Sequence, residues 1–146
     1  MLRISAGEQG SLAESNVMPH IFVEFSANVK EHIDTAELVR NVHDAAASHQ
    51  SVPMAGLRTR VVEREQYLIA NGDDRNMFVA VLARLNGSRG KESLLEVRDL
   101  LVQACKTTLA DVQRHQPIAI SVEVQPIDPE MRINENSIRD YFEELA

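Results

Sequence analysis

The sequence of 146 residues contains few cysteines and aromatic residues, and these shortages limit the kinds of protein it can encode. It has one cysteine, no tryptophan, two tyrosines and four phenylalanines. A single cysteine cannot form an internal disulfide, and the paired cysteines of many zinc sites are absent from the sequence. These features favour a protein of the reducing cytoplasm. Because 44% of the residues are hydrophobic, the chain can still bury a core, which must be mainly aliphatic.

The chain also lacks an excess of positive charge and any long apolar segment. Its formal net charge is −7, whereas a nucleic-acid-binding domain needs clustered Lys and Arg to neutralise phosphates. No apolar run approaches the roughly 20 residues that cross a bilayer. We therefore expect neither a nucleic-acid-binding protein nor a membrane-spanning one, and the length is typical of one domain.

The first 17 residues, MLRISAGEQGSLAESNV, differ in character from the rest of the chain. They are small and polar, and they lack the basic start and the apolar stretch of a secretory signal. We interpret residues 1–17 as a flexible leader or a misassigned gene start. Residues 18–146 are then a single domain with a C-terminal helical tail.

Hydrophobic periodicity predicts two β-α-β units followed by this tail. The predicted elements are strands near residues 20–27, 57–70, 76–86 and 118–127, helices near 35–50 and 91–115, and a short amphipathic helix within NENSIRDYFEEL. Two such units can form one four-stranded sheet with both helices on the same face. The other face then carries Phe22, Phe78, Ala80 and Leu82, so we expect a second subunit to cover it.

Pro19, within the stretch NVMPHIFVEFS, is a candidate catalytic base. As an ordinary residue it simply opens a strand, where its missing N–H costs nothing. If Met18 is the initiator and is removed, Pro19 instead carries a free secondary amine. An α-amino group has a reference pKa of about 7.7–8.0, and apolar surroundings or nearby cations lower the pKa towards the range of a good general base. In a chain that begins at Met1, the same nitrogen is a tertiary amide and has no basic lone pair.

Three arginines are candidate anion-binding residues. Arg58 and Arg60 are two apart on a predicted strand and therefore point to the same face, and a guanidinium binds a carboxylate through two parallel hydrogen bonds. Arg89 lies in a glycine-flanked turn before a helix, where backbone N–H groups and a cation can bind an anion together. Taken singly, each is an ordinary surface arginine. The five histidines show no metal-ligand spacing, and Cys105 falls in the apolar stripe of a helix, as a core residue does.

Four segments of the sequence resemble the 5-carboxymethyl-2-hydroxymuconate Δ-isomerases of the tautomerase superfamily. The segments are MPHIFVEFSAN, PMAGLRTR, LNGSR and NENSIRDYF, and the resemblance covers about residues 18–142. It implies an α+β fold, the tautomerase β-α-β-β-α-β subunit, assembled as a homotrimer whose sheets line a central barrel. It also implies that Pro19 is the catalytic base and that Arg58 and Arg89 bind substrate. Phe78 and Tyr67 are further candidates for the pocket wall.

The resemblance further implies a tautomerisation in the breakdown of homoprotocatechuate, with a small, multiply carboxylated substrate. Pro19 would move a proton from the 2-hydroxyl group to C5 of a dienol acid, while the arginines hold carboxylates and stabilise the dienolate. Neither a metal nor an organic cofactor is required. Two alternatives stay open: another superfamily activity on a 2-oxo or 2-hydroxy acid, and a non-catalytic oligomer that binds small acids or a partner if Pro19 is not N-terminal.

Overall fold

The computed structural model describes residues 19–141. The prediction for residues 1–17 lies outside this range, and so does the part of the tail helix beyond Tyr141. In chain order the elements are β1 (His20–Ser26), α1 (Thr35–Ala47), β2 (Arg58–Arg64), β3 (Met77–Asn86), α2 (Lys91–His115) and β4 (Ile118–Ile127). This order is the predicted double β-α-β arrangement.

The four strands form one mixed sheet in the order β2-β1-β3-β4. Each β-α-β unit contributes a parallel pair, β1 with β2 and β3 with β4, and the two units join through the antiparallel pair of β1 and β3. Both helices pack on the same face of the sheet and against each other, where Asn41 Nδ2 donates a hydrogen bond to Thr108 Oγ1 at 2.9 Å. The predicted α+β subunit is confirmed.

A continuous aliphatic core lies between the helices and the sheet, as the composition predicts. The side chains of β1 and β3 that point towards the helices are fully or almost fully buried, namely Ile21, Val23, Phe25, Met77, Val79, Val81, Ala83 and Leu85. Cys105 of α2 is part of this core, and burial raises the pKa of its thiol to about 11. The prediction that Cys105 is a core residue is therefore confirmed.

Strand β2 is shorter than predicted, because residues 65–76 form a loop rather than continuing the strand. Its neighbour β1 ends at Ser26, which pairs with Arg64, so no partner remains for a longer ladder. Side chains then satisfy the backbone of the loop: Asn76 Nδ2 donates to the carbonyl of Ile69, and Asn71 Oδ1 accepts from the backbone N–H of Asp73. Asn and Asp commonly replace a strand ladder with such local hydrogen bonds.

The sheet face opposite the helices is covered by no element of the described chain. Phe22, Ala80 and Leu82 lie side by side on it and are only partly buried. Beyond β4 the chain continues as a tail in which Met131 and Ile133 are 83% and 91% exposed. The predicted uncovered, partly apolar face is thus present in the folded chain.

The described part of the tail forms a short 3-10 turn at Ile138–Tyr141 in place of a regular amphipathic helix. Asn136 caps it as predicted, since its Oδ1 accepts from the backbone N–H of Ile138 at 2.8 Å. Asn136 Nδ2 also donates to the carbonyl of Ala55 at 3.0 Å, which fastens the tail to the segment before β2. None of the helices between residues 19 and 141 has the length and apolarity needed to cross a bilayer.

Candidate active site

Pro19 and Arg89 line one small cleft at the end of the sheet. The sheet topology explains why they meet: β1 and β3 are antiparallel neighbours, so the start of β1 lies beside the end of β3. Pro19 immediately precedes β1, and Arg89 ends the 3-10 turn Gly87–Arg89 that follows β3. The other lining residues are Ser51, Val52, Leu85, Asn86, Ser93 and Leu94. The structure therefore brings together Pro19 and Arg89, two of the three residues to which the resemblance assigns a role in the site.

The turn that carries Arg89 is held by the side chain of Asn86, the residue before the turn, and by close packing on β4. Asn86 Oδ1 accepts from the backbone N–H of Ser88 at 2.9 Å and from the hydroxyl of Ser88 at 2.8 Å. Gly87 passes so close to Pro126 that a Cβ atom at Gly87 would lie 2.8 Å from the Cβ of Pro126. Only glycine fits there without a backbone shift, so the position of Arg89 depends on this contact.

The cleft has the electrostatic character of an anion site. Helix α2 begins at Lys91, directly after the turn, and Ser93 and Leu94 of its first turn line the cleft. A helix N-terminus presents unpaired N–H groups and a partial positive charge, and Arg89 adds a full one. The cleft measures about 10 Å³, roughly the room of one water molecule, and Pro19 is buried at its wall. A cleft of this volume is too small to enclose a whole organic acid.

Arg58 adjoins Pro19 through the backbone, but its side chain does not line the cleft. The N–H of Arg58 donates to the carbonyl of Pro19 at 3.2 Å, and Arg58 pairs with His20 in the parallel ladder. Its guanidinium lies on the uncovered sheet face, where Nη2 is 3.0 Å from His20 Nε2. Burial, followed by the charge of Arg60, lowers the pKa of Arg58.

On the uncovered face four arginines surround His20, and we call these five residues the His20 cluster. Its members are His20, Arg58, Arg60, Arg84 and Arg132. Arg60 Nη2 lies 2.5 Å from His20 Nδ1, Arg132 Nη2 contacts Nε2, and Arg84 is opposite His20 on β3. Burial first, and then the charges of the four arginines, lower the pKa of His20 to about 4, so its ring is neutral at pH 7.

Only part of this cluster can be predicted from the sequence. The predicted sharing of one face by Arg58 and Arg60 is confirmed, because both reach the ring of His20. Alternation along β1 and β3 assigns His20 and Arg84 to the uncovered face, but only the strand register shows that they lie opposite each other. Arg132 lies in the irregular tail, where no periodicity points to it.

Neither Tyr67 nor Phe78, the candidates for the pocket wall, lines the cleft of the same chain. Tyr67 lies in the loop after β2, in a separate surface groove with Asn28. Phe78 is at the opposite end of the sheet, where its N–H donates to Ser26 Oγ at 3.0 Å. Across residues 19–141, no group of three or more His, Cys, Asp or Glu side chains is placed to hold a metal ion.

Comparisons with known proteins agree on one family. The model of the 5-carboxymethyl-2-hydroxymuconate isomerase family matches residues 19–142. The 5-carboxymethyl-2-hydroxymuconate Delta-isomerase of Escherichia coli is 27% identical over 125 residues, which are 86% of this chain and 99% of that protein. A crystal structure of a 5-carboxymethyl-2-hydroxymuconate isomerase from Deinococcus radiodurans R1 has a TM-score of 0.79 at 21% identity, over 87% of this chain and 96% of that one.

The fold recurs in a more distant group of structures. A fused 4-OT protein, described as a symmetric trimer, has a TM-score of 0.60 at 18% identity and covers 80% of this chain and 90% of its own. At this level of identity the similarity shows the shared tautomerase fold alone.

Proposed function

Because this chain belongs to the 5-carboxymethyl-2-hydroxymuconate isomerase family, a family of tautomerase-type isomerases, we propose that it ketonises 5-carboxymethyl-2-hydroxymuconate or a closely related dienol acid. The cleft that joins Pro19 to Arg89 is the observation that carries the proposal. It places a candidate base beside a cation and a helix N-terminus. Proton transfer on an anionic dienol needs this combination, since the base moves the proton and the positive groups stabilise the dienolate.

In the proposed reaction, the neutral amine of Pro19 removes the proton of the 2-hydroxyl group and returns a proton to C5. The O–H bond breaks, the C–H bond forms, and the double bonds shift to give the conjugated ketone. Arg89 holds one carboxylate in the cleft, and Arg58 approaches from the adjoining sheet face. Burial of Pro19 and the nearby guanidinium both favour the uncharged amine, and so would lower its pKa towards neutrality. The reaction requires neither metal nor organic cofactor.

The active form in this proposal begins at Pro19, with Met18 as the initiator that is removed. Residues 18–146 then form the functional domain, and the segment before Met18 plays no part in catalysis. The family model begins its match at this same residue, which supports the assignment. A chain that keeps the preceding residues has an amide nitrogen at Pro19 and is expected to be inactive.

We propose that the chain assembles as a homotrimer that covers the open sheet face. The apolar residues of this face, with the exposed Met131 and Ile133 of the tail, supply surface that a monomer leaves in water. A structural neighbour with the same fold is described as a trimer. Light scattering coupled to gel filtration tests this, because a monomeric mass at micromolar concentration contradicts it.

The deciding experiment compares two chains, one starting at Met1 and one starting at Met18. Intact mass establishes which chain ends in a free Pro19, and the loss of dienol absorbance measures isomerisation. We expect activity only in the chain with free Pro19, and a kcat that falls by about 10²-fold or more when that chain carries Pro19→Ala. Full activity in a chain proven to retain residues before Pro19 refutes the mechanism. If neither chain acts on any 2-hydroxydienoate, the non-catalytic alternative is favoured instead.

A further inference from the structure

His49 connects the cleft to the surface of α2 through two short hydrogen bonds. Ser51, which lines the cleft, has its Oγ 2.7 Å from His49 Nδ1, and His49 Nε2 lies 2.7 Å from Glu96 Oε2. Glu96 belongs to α2, whereas His49 and Ser51 lie in the segment between α1 and β2. We call these three side chains the His49 bridge. The proposed isomerase mechanism gives none of them a role.

The contacts of His49 determine which of its ring nitrogens carries a proton. The backbone N–H of Ser51 donates to Nδ1 at 3.0 Å, and a backbone N–H can only donate. Nδ1 must therefore carry a lone pair, so the proton of the neutral ring is on Nε2, which donates to the carboxylate of Glu96. The hydroxyl of Ser51 also faces the lone pair of Nδ1 and donates to it. As a result, the oxygen lone pairs of Ser51 stay available to other groups.

The His49 bridge is fixed in place by the fold. The side chain of His49 is only 9% exposed, although that of Glu96 is 53% exposed. The carbonyl of His49 accepts from the backbone N–H of Val52 at 3.0 Å, and Val52 is itself buried. The backbone and the ring of His49 therefore both have defined positions, and the ring in turn fixes the direction of the Ser51 hydroxyl.

Within the cleft, Ser51 can supply an acceptor that Pro19 needs during proton transfer. When the amine of Pro19 takes up a proton, it becomes a cation whose N–H groups need acceptors in a buried site. Arg89 and the N-terminus of α2 are positive, and Asn86 Oδ1 already accepts two hydrogen bonds from Ser88. The cleft has about the room of one water molecule, so Ser51 and Pro19 face each other directly or across a single water.

We propose that Ser51 is a catalytic residue that accepts a hydrogen bond from the protonated amine of Pro19, and that His49 and Glu96 position its oxygen for this role. This inference rests on the proposed function, in which Pro19 is the N-terminal base. The amine takes the proton of the substrate hydroxyl group, donates an N–H to Ser51 Oγ while it is charged, and then returns a proton to C5. Ser51 keeps its own proton in the hydrogen bond to His49, so it forms no covalent bond. The contact favours the charged amine and so offsets part of the opposing effect of Arg89.

The main test is a titration of the Pro19 amine without substrate. Chains that begin at Pro19 are labelled with 15N-proline, and the 15N signal of Pro19 is followed against pH by NMR. We expect Ser51→Ala to lower the pKa of this amine by about 0.5 or more, because a hydrogen bond that favours the charged form is lost. Ser93→Ala is the matched control, since Ser93 also lines the cleft but lies outside the bridge, and it should shift the pKa by less than half as much. Equal pKa values in the wild type and Ser51→Ala overturn the inference, and so do equal shifts in the two variants.

A second pair of variants tests the positioning role at Glu96, which is half exposed and lies outside the core. Glu96→Gln keeps an oxygen that can accept from His49 Nε2 but removes the charge, whereas Glu96→Leu removes the acceptor. We expect the pKa of the Pro19 amine to stay close to the wild-type value in Glu96→Gln and to move towards the Ser51→Ala value in Glu96→Leu. The 15N shifts of the His49 ring at pH 8 should show the proton on Nε2 in the wild type. A wild-type ring that carries its proton on Nδ1 overturns the inference.

Kinetics separate this inference from the isomerase proposal. At a pH above the pKa of the Pro19 amine, we expect Ser51→Ala to lower kcat about tenfold and to leave KM within twofold, because the lost hydrogen bond forms only when the amine is charged. If no dienol is isomerised but Ser51→Ala shifts the pKa of Pro19 as expected, the isomerase proposal fails and the contact between Ser51 and Pro19 is retained. If the wild type isomerises a dienol and Ser51→Ala changes neither kcat nor this pKa, the isomerase proposal stands and Ser51 has no catalytic role.

Discussion

Gly87 links the stability of the fold to the position of Arg89, and replacing it with alanine should disturb both. The added Cβ would lie 2.8 Å from the Cβ of Pro126, whereas carbon atoms at optimal contact are about 3.5–4.0 Å apart. Neither atom belongs to a flexible side chain, so the turn or β4 must move. Overpacking of this kind costs about 1–3 kcal/mol. We expect Gly87→Ala to lower the free energy of unfolding by that amount.

A double-mutant cycle isolates the clash. Pro126→Gly removes the opposing Cβ, so the cost of Gly87→Ala should be smaller in the Pro126→Gly background than in the wild type. The measurement is urea unfolding at one fixed protomer concentration, because the stability of an oligomer depends on concentration. The expected coupling free energy is about 1 kcal/mol or more. Additive effects of the two substitutions would refute the reasoning, as would wild-type stability of Gly87→Ala.

The same substitution should also reduce activity, because Arg89 is two residues beyond the clash. A displacement of about 1 Å at a substrate-holding group can cost on the order of 10²-fold in rate. We therefore expect kcat/KM to fall by 10- to 100-fold in Gly87→Ala, with part of the loss recovered by Pro126→Gly. A destabilised variant that keeps wild-type kcat/KM would show that Arg89 is not positioned by this turn.

Two further outcomes follow from shifted pKa values. The pKa of His20 is about 4 in the folded chain, whereas its ordinary value is 6.5. Between these two pH values the unfolded chain binds a proton that the folded chain does not bind. Stability to urea should therefore fall as the pH drops from 6.5 to 4, and fall less steeply in His20→Gln. The pKa of Cys105 is raised to about 11, so its thiolate fraction is about 100-fold below that of an ordinary thiol. Ellman's reagent at pH 8 should react slowly with the native protein and quickly with the protein in urea, and equal rates would contradict burial of this thiol.

The fold could be predicted from the sequence because local pattern and global architecture agree. Alternation in β1 and β3 and the helical stripes of α1 and α2 assign each apolar side chain to one core. The error in β2 has a physical cause: its sequence permits a longer strand, but β1 ends at Ser26 and offers no further partner. The end of a strand depends on its neighbour, which is information from outside the segment.

The candidate site could be predicted only in part, because its contacts also depend on neighbouring strands. Alternation reveals that Arg58 and Arg60 share a face, but not which groups face them from β3 or the tail. Those contacts depend on a strand order in which β1 separates β2 from β3. The resemblance implies that Arg58 binds substrate, but the sequence does not reveal that its guanidinium lies among His20, Arg60 and Arg132.

The negative net charge of the chain is compatible with an anionic substrate, because the charged side chains are unevenly distributed. At physiological ionic strength, exposed charges are screened beyond about 8 Å, so a ligand at the sheet end senses mainly the groups within that distance. Several acidic side chains lie in local pairs away from the site, such as Asp73 with Arg75 and Asp111 with Arg114. In contrast, the arginines of the His20 cluster and Arg89 lie near Pro19, at the start of β1. Net charge therefore bears on solubility and on the exclusion of nucleic acid, while the local arrangement of arginines decides what this end of the sheet can bind.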